Sequence, residues 1–121
     1  MSLGSYCPSS DVQGAVNYAH DGGVALFAAA GNDGASTMIY LAGCQNVIGV
    51  GVTTNQDQKA SFSNFSSSVD VTAPGKDVYS MSMGGGYAFG SGTSAATPTA
   101  AGVAALVISC KPSLSPSRPR S

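Results

Sequence analysis

Ser94 is the residue whose surroundings could do chemistry. Gly90-Ser91-Gly92-Thr93 leads into it, and the glycines let the backbone turn tightly. Ala95 through Ile108 then forms an apolar run rich in alanine, long enough for about four helical turns. A hydroxyl at the start of such a helix lies at its positive end, where developing negative charge is stabilised. Apolar residues fall on every face of the run, as expected of a helix in the middle of a larger protein. Pro98 has no N–H to give the carbonyl four residues back, which is that of Ser94, so the helix should bend or loosen beside the serine. The same residues also describe an ordinary buried helix for which Ser94 is only the N-cap.

Other candidate groups are few. His20 is the only histidine. It falls at the polar end of an amphipathic stretch, where it reads as a solvated residue favoured by the helix dipole. Cys7, Cys44 and Cys110 form an odd set without metal-ligand spacing. They allow at most one internal disulfide, and free buried thiols fit equally well. Asp70 is a lone acid, a poor calcium ligand without partners, and reads as structural. Gly84-Gly85-Gly86 fits neither G-x-G-x-x-G nor a P-loop, which needs a following Lys-Ser/Thr. Asn64-Phe65-Ser66 matches the acceptor pattern for N-glycosylation.

Composition narrows the classes. The chain has 121 residues, enough for one domain with a modest core, and carries a net charge of −1 with only 9 % charged residues. No basic patch points to nucleic acid, and no acidic run to a tail. No apolar run reaches the roughly 20 residues of a membrane span. No basic-then-apolar leader opens the sequence.

The elements that must position Ser94 follow from periodicity. Ser10 opens a helix, Gln13 completes a capping-box pattern, and Val12, Ala15, Val16 and Ala19 make its apolar stripe. Gly22-Gly23 ends it. Val24 to Ala30 is a continuous apolar run typical of a buried parallel strand, closed by an Asn/Gly turn at Gly31-Asn32-Asp33-Gly34. Asn46 to Val52 reads as the next buried strand, with Gly49 and Gly51 admitting a close neighbour. Asp77–Met83 and Tyr87–Phe89 flank the three glycines as a β-hairpin. Lys111 to Ser121 is a Pro/Ser/Arg-rich tail expected to be poorly ordered.

The stretch Gly92 to Gly102 resembles the nucleophile signature of the subtilisin-like serine proteases, G-T-S-[MA]-A-[TS]-P-H-[VA]-[AS]-G. Gly92, Thr93, Ser94, Ala96, Thr97, Pro98, Ala101 and Gly102 match. Thr99 departs, standing where the family mostly has a histidine outside the triad. Ala28-Ala29-Ala30-Gly31-Asn32 resembles a second landmark, A-A-G-N, in which the asparagine donates to the oxyanion and the preceding backbone walls the pocket for the residue before the cut. Met1-Ser2-Leu3-Gly4 resembles the substrate-binding strand, M-S-L-G-G, although so short a stretch could also be vector-derived. Ala60–Asn64 and Asp70–Gly75 resemble the family's links between sheet and hairpin.

The resemblance implies an α/β fold: a doubly wound, mostly parallel sheet, present as a partial domain whose central buried helix carries the nucleophile. It covers residues 1–110. It implies peptide-bond hydrolysis through an acyl-enzyme on Ser94, with Asn32 as oxyanion donor. Ser2, Leu3, Gly4, Ala29, Ala30 and Gly31 would line the cleft. A protein or peptide is the implied substrate, no cofactor or metal is required, and the place of action is outside the cell. The family orders its triad Asp, His, Ser, and neither a D-[TS]-G nor an H-G-T-H motif occurs here. The chain is therefore expected to be the C-terminal portion of a catalytic domain, with the N-terminal half as a partner. Alone it should leave an apolar sheet edge and part of the alanine-rich helix exposed. The competing expectation is a non-catalytic or split-protease module that keeps only the peptide-binding cleft.

Overall fold

The computed structural model describes residues 1–114. Helix α1 spans Ser10–Asp21 and is followed by strands β1 (Leu26–Ala29), β2 (Val47–Thr53) and β3 (Val71–Pro74). Strands β4 (Val78–Met81) and β5 (Tyr87–Gly90) form an antiparallel hairpin, and helix α2 spans Thr93–Cys110. The first three strands make one parallel sheet in the order β1-β2-β3. Adjacent residues of β1 point to opposite faces. Ala28 packs with Val16 of α1 and Val47, whereas Phe27 packs towards Val50, Val52, Ala73 and Ala96 of α2. One helix thus covers each face, as expected of an α/β sandwich.

Glycine sets the spacing between β2 and the segment before β3. A methyl group at Gly49 would collide with the Ser68 carbonyl. The Gly49 N–H donates to Asp70 Oδ2 at 2.8 Å and its carbonyl accepts from Asp70 N at 2.9 Å. Asp70 is thereby tied to the sheet at the head of β3.

Two local expectations change. The cap of α1 is Ser9, whose hydroxyl accepts from Val12 N, so the residue at the reciprocal capping position is an apolar valine. Gln13 therefore does not close a capping box. Its carboxamide bonds the Gln45 main chain in both directions and Asn17 Oδ1, fixing α1 to the loop before β2. The glycosylation pattern also fails physically. Asn64 is 1 % exposed, and its amide bonds Ala30 O, Thr37 O, Asp33 N and Ala35 N.

Helix α2 lies on the sheet through its first turns, where Thr93, Ala96 and Thr97 are buried. Beyond them Val103, Leu106 and Val107 are exposed. By length and composition α2 is apolar enough to cross a membrane, although its 18 residues fall short of an unbroken run of about 20. A core helix satisfies the same criterion, and α2 contacts all three parallel strands although only its first turns are buried in this chain. All three cysteines are free thiols, Cys44 buried and the other two exposed. Of the tail, Lys111 to Leu114 forms a turn closed by Leu114 N–H to Lys111 O, and the rest lies outside the described residues.

Candidate active site

Ser94 stands in the first turn of α2, exposed at the mouth of a groove of about 290 Å³. Ser2, Leu3 and Gly4 line one side, and Ala29, Gly31 and Asn32 the other. Ala30 does not line it. It is fully buried behind the wall, its N–H donating to Val50 O and its carbonyl accepting from Asn64 Nδ2. Just past the end of β1, Ala30 has both main-chain groups engaged, so it supports the wall rather than forming it.

The start of α2 determines which donors face the groove. The first N–H groups of a helix have no partner inside it. Here Thr93 N donates to Asn32 Oδ1 at 2.8 Å, while Ala95 N and Ala96 N donate to Gly92 O at 3.0 and 3.2 Å. The Ser94 N–H and the Ser94 hydroxyl have no partner among the described residues. Asn32 therefore caps α2 from a distant segment, since Gly92 has no side chain to do so.

That cap also orients the Asn32 amide. A backbone N–H can only donate, so the atom facing Thr93 N must be the amide oxygen. The Thr93 hydroxyl donates to the same oxygen at 2.9 Å and accepts from Gly31 N at 3.3 Å. Asn32 Nδ2 is left without a partner among the described residues and turns the other way. A methyl group at Gly92 would lie 3.5 Å from Asn32 Nδ2 and 3.7 Å from Ser94 N. Both donors thus border one small space beside the serine. Gly92 itself has φ +151°, a region glycine adopts readily.

Pro98 adds a link between the two walls. It frees the Ser94 carbonyl from the helix ladder, and the Ser2 hydroxyl donates to that carbonyl at 2.9 Å. The backbone of Leu3 and Gly4 has no hydrogen-bond partner among the described residues. Met1 before them pairs with β1 on both sides of Ala28, through Phe27 O and Ala29 N, as a parallel neighbour does. At the rim, Tyr6 donates to Asp33 Oδ2 at 3.0 Å, and that hydrogen bond together with the carboxylate charge raises the phenol above its ordinary pKa.

Among the described residues, no histidine or lysine lines the groove. His20 lies in the last turn of α1, 3.4 Å from Asp21, and is not among the residues that line the groove. Sequence reasoning missed the roles of Thr93, of the Ser94 N–H, of Ile39 at the end of the groove and of buried Asn64. Of these, Thr93 left a signal as part of the motif around the serine, and Asn64 as the last residue of the Ala60–Asn64 stretch.

A parallel sheet with a serine at the start of a helix on one face, beside an asparagine in the bend that follows a strand, defines the class of subtilisin-like folds. A crystal structure of a cold-adapted subtilisin-like serine proteinase superposes with a TM-score of 0.88 at 43 % identity, covering 96 % of this chain and 42 % of that one. A thermophilic serine proteinase of Bacillus sp. (strain AK1) is 49 % identical over 109 residues, 90 % of this chain and 27 % of that protein. Subtilisin BL of Lederbergia lenta is 46 % identical over 115 residues, 95 % of this chain and 43 % of its own length. The sequence profile of the subtilase family matches residues 1–121, and the chain belongs to that family. It spans less than half the length of these relatives.

Proposed function

We propose that this chain supplies the nucleophile, the oxyanion donors and one substrate wall of a serine endopeptidase. Ser94 Oγ attacks the scissile carbonyl and forms the acyl-enzyme. Asn32 Nδ2 and the Ser94 N–H hold the oxygen as it gains charge, acting as donors aimed before the substrate arrives. Leu3 and Gly4 pair with the extended peptide as an added strand. The observation that carries this reading is the double engagement of Asn32 Oδ1 by Thr93, which turns the amide nitrogen to the space bordered by the Ser94 N–H.

A serine hydroxyl is a weak nucleophile until a base takes its proton. The base, and the carboxylate that orients it, come from a segment outside this chain that docks beside Ser94, in the family's order Asp then His then Ser. The substrate is a protein or peptide, and the family resemblance supports action outside the cell. The test is labelling by a fluorophosphonate probe. The 121-residue chain alone should not react. The chain joined to in-frame upstream coding sequence should react at Ser94, and Ser94→Ala should abolish it. Stoichiometric labelling of Ser94 in the isolated chain would refute the division of the site.

A second reading rests on the free Leu3–Gly4 backbone and the absence of a base lining the groove. The chain then binds peptides without cutting them. In-frame upstream sequence lacking the Asp and His motifs would favour it.

A further inference from the structure

The hairpin β4–β5 meets the serine turn out of step. Its ladder pairs Val78 with Gly90, and the same register would set Asp77 opposite Ser91 and Lys76 opposite Gly92. Instead the Gly92 N–H donates to Gly75 O at 2.8 Å. Lys76 and Asp77 therefore stand together against Ser91, a β-bulge of one extra residue. Asp77 takes the left-handed conformation, φ +54°, which aspartate tolerates better than most residues.

The shift determines what lies against the first turn of α2. A methyl group at Gly75 would come within 2.8 Å of Ala96 Cβ, 2.9 Å of Gly92 O and 3.1 Å of Ala96 N. In an unshifted ladder Lys76 would take that place, and its side chain does not fit. Gly92, two residues before Ser94, and Ala96, two residues after it, both rest on Gly75. The turn that carries Ser94 is thus seated only while the bulge holds.

Ser91 holds the bulge. Its hydroxyl oxygen accepts from Asp77 N at 2.9 Å, and its O–H donates to Asp77 Oδ1 at 3.2 Å. This pair closes the base of the hairpin, since residues 77 and 91 flank β4 and β5. Beyond the base the hairpin is largely exposed, β5 throughout. It therefore pivots on the base, and any movement there passes along the chain to Gly92. We infer that Ser91 is a positioning residue: through its reciprocal bonds to Asp77 it locks the bulge and with it the turn that presents Ser94. The inference rests on the proposed role of Ser94 as nucleophile. Ser91 and Asp77 are both exposed, so the loss of their two bonds leaves the core intact.

The test pairs turnover with hydrogen exchange. In the upstream-extended chain, Ser91→Ala should lower kcat for a chromogenic peptide about tenfold and leave KM within about twofold, because a small misplacement of a reacting group costs rate more than binding. Ser91→Thr keeps the hydroxyl and should restore most of the rate. Ser9→Ala removes the cap of α1 and controls for lost stability alone, so its kcat should not change. In the 121-residue chain, Ser91→Ala should speed exchange of the Gly92 N–H by about tenfold or more relative to the amides of β2. An unchanged Gly92 rate would overturn the clamp. An unchanged kcat, a loss that threonine does not rescue, or the same loss in Ser9→Ala would overturn the positioning role. An upstream-extended parent without turnover would overturn the catalytic reading and that role with it, while faster Gly92 exchange would still establish the clamp.

Discussion

Thr93→Val tests the cross-brace that orients Asn32. The exchange keeps the shape of the side chain and replaces the hydroxyl by a methyl group at a position only 1 % exposed. Burial alone predicts no loss, since an added methyl gains at most about 0.8 kcal/mol. The hydrogen bonds predict the opposite. The Gly31 N–H loses its acceptor in a buried site, at about 1–3 kcal/mol, and Asn32 Oδ1 loses one of its two donors, at about 0.5–1.5 kcal/mol. The net expectation is a loss of about 2 kcal/mol. Thr93→Ser keeps both bonds and gives up one buried methyl, about 1 kcal/mol. The expected stability order is therefore Thr, then Ser, then Val. Urea unfolding followed by far-UV circular dichroism suits a chain without tryptophan. With a slope of about 1–2 kcal/mol/M, the valine midpoint should fall by roughly 1–2 M. A valine variant as stable as the parent would refute the reasoning, because the hydroxyl would then contribute nothing to the brace.

Other expectations follow from single contacts. Asn64→Ala orphans Ala30 O, Thr37 O, Asp33 N and Ala35 N together, so the loop after Asn32 should lose its protection in hydrogen exchange and the chain should lose more than about 3 kcal/mol of stability. Ser2→Ala should cost about 1 kcal/mol in the parent and less in a Pro98→Ala background, where an alanine N–H can reach the Ser94 carbonyl; equal costs in a double-mutant cycle would show that the two residues do not share that carbonyl. The raised Tyr6 phenol keeps its proton, and its bond to Asp33, at every pH below the ordinary tyrosine value, and loses both as pH rises through the raised value. Asp33→Asn should lower the Tyr6 pKa in a spectrophotometric titration, and an unchanged curve would exclude the contact.

The sequence made the strands readable because their apolar runs are local. Such runs place the first two parallel strands to within a residue or two, whereas β3 lies in a segment that the sequence marks only as a link between sheet and hairpin. Val24 and Ala25 fall outside β1, and Thr53 extends β2 to pair with Pro74. The helix cap was misplaced because two adjacent serines offer the same chemistry, and only the geometry at Val12 N selects Ser9. What stayed hidden involves pairs far apart in the chain. Asn64 looked like an exposed acceptor sequence, yet one of its partners lies 34 residues away. The Thr93–Asn32 brace spans 61 residues. Ile39 sits in a loop and carries no local pattern, because its place at the groove is set by Gly4 and Gly31 in two other segments.

The contacts within this chain suggest why a site of the proposed kind can be divided at the serine hydroxyl. An oxyanion donor is useful only if it is already aimed, since a donor that must swing into place loses its advantage to reorganisation. The contacts that would aim the two proposed donors lie inside this chain: Thr93 fixes the Asn32 amide, Gly92 leaves open the space beside it, and the first turns of α2 are buried. A general base has a different requirement. It must take a proton and return it, and its coupling to this half is a single hydrogen bond to Ser94 Oγ. A segment that docks can supply that bond, provided docking is strong enough to hold the base within hydrogen-bond reach. The exposed Val103, Leu106 and Val107 on α2 offer apolar area for such docking. In the proposed enzyme, rigidity therefore belongs on the side of the donors and replaceability on the side of the base.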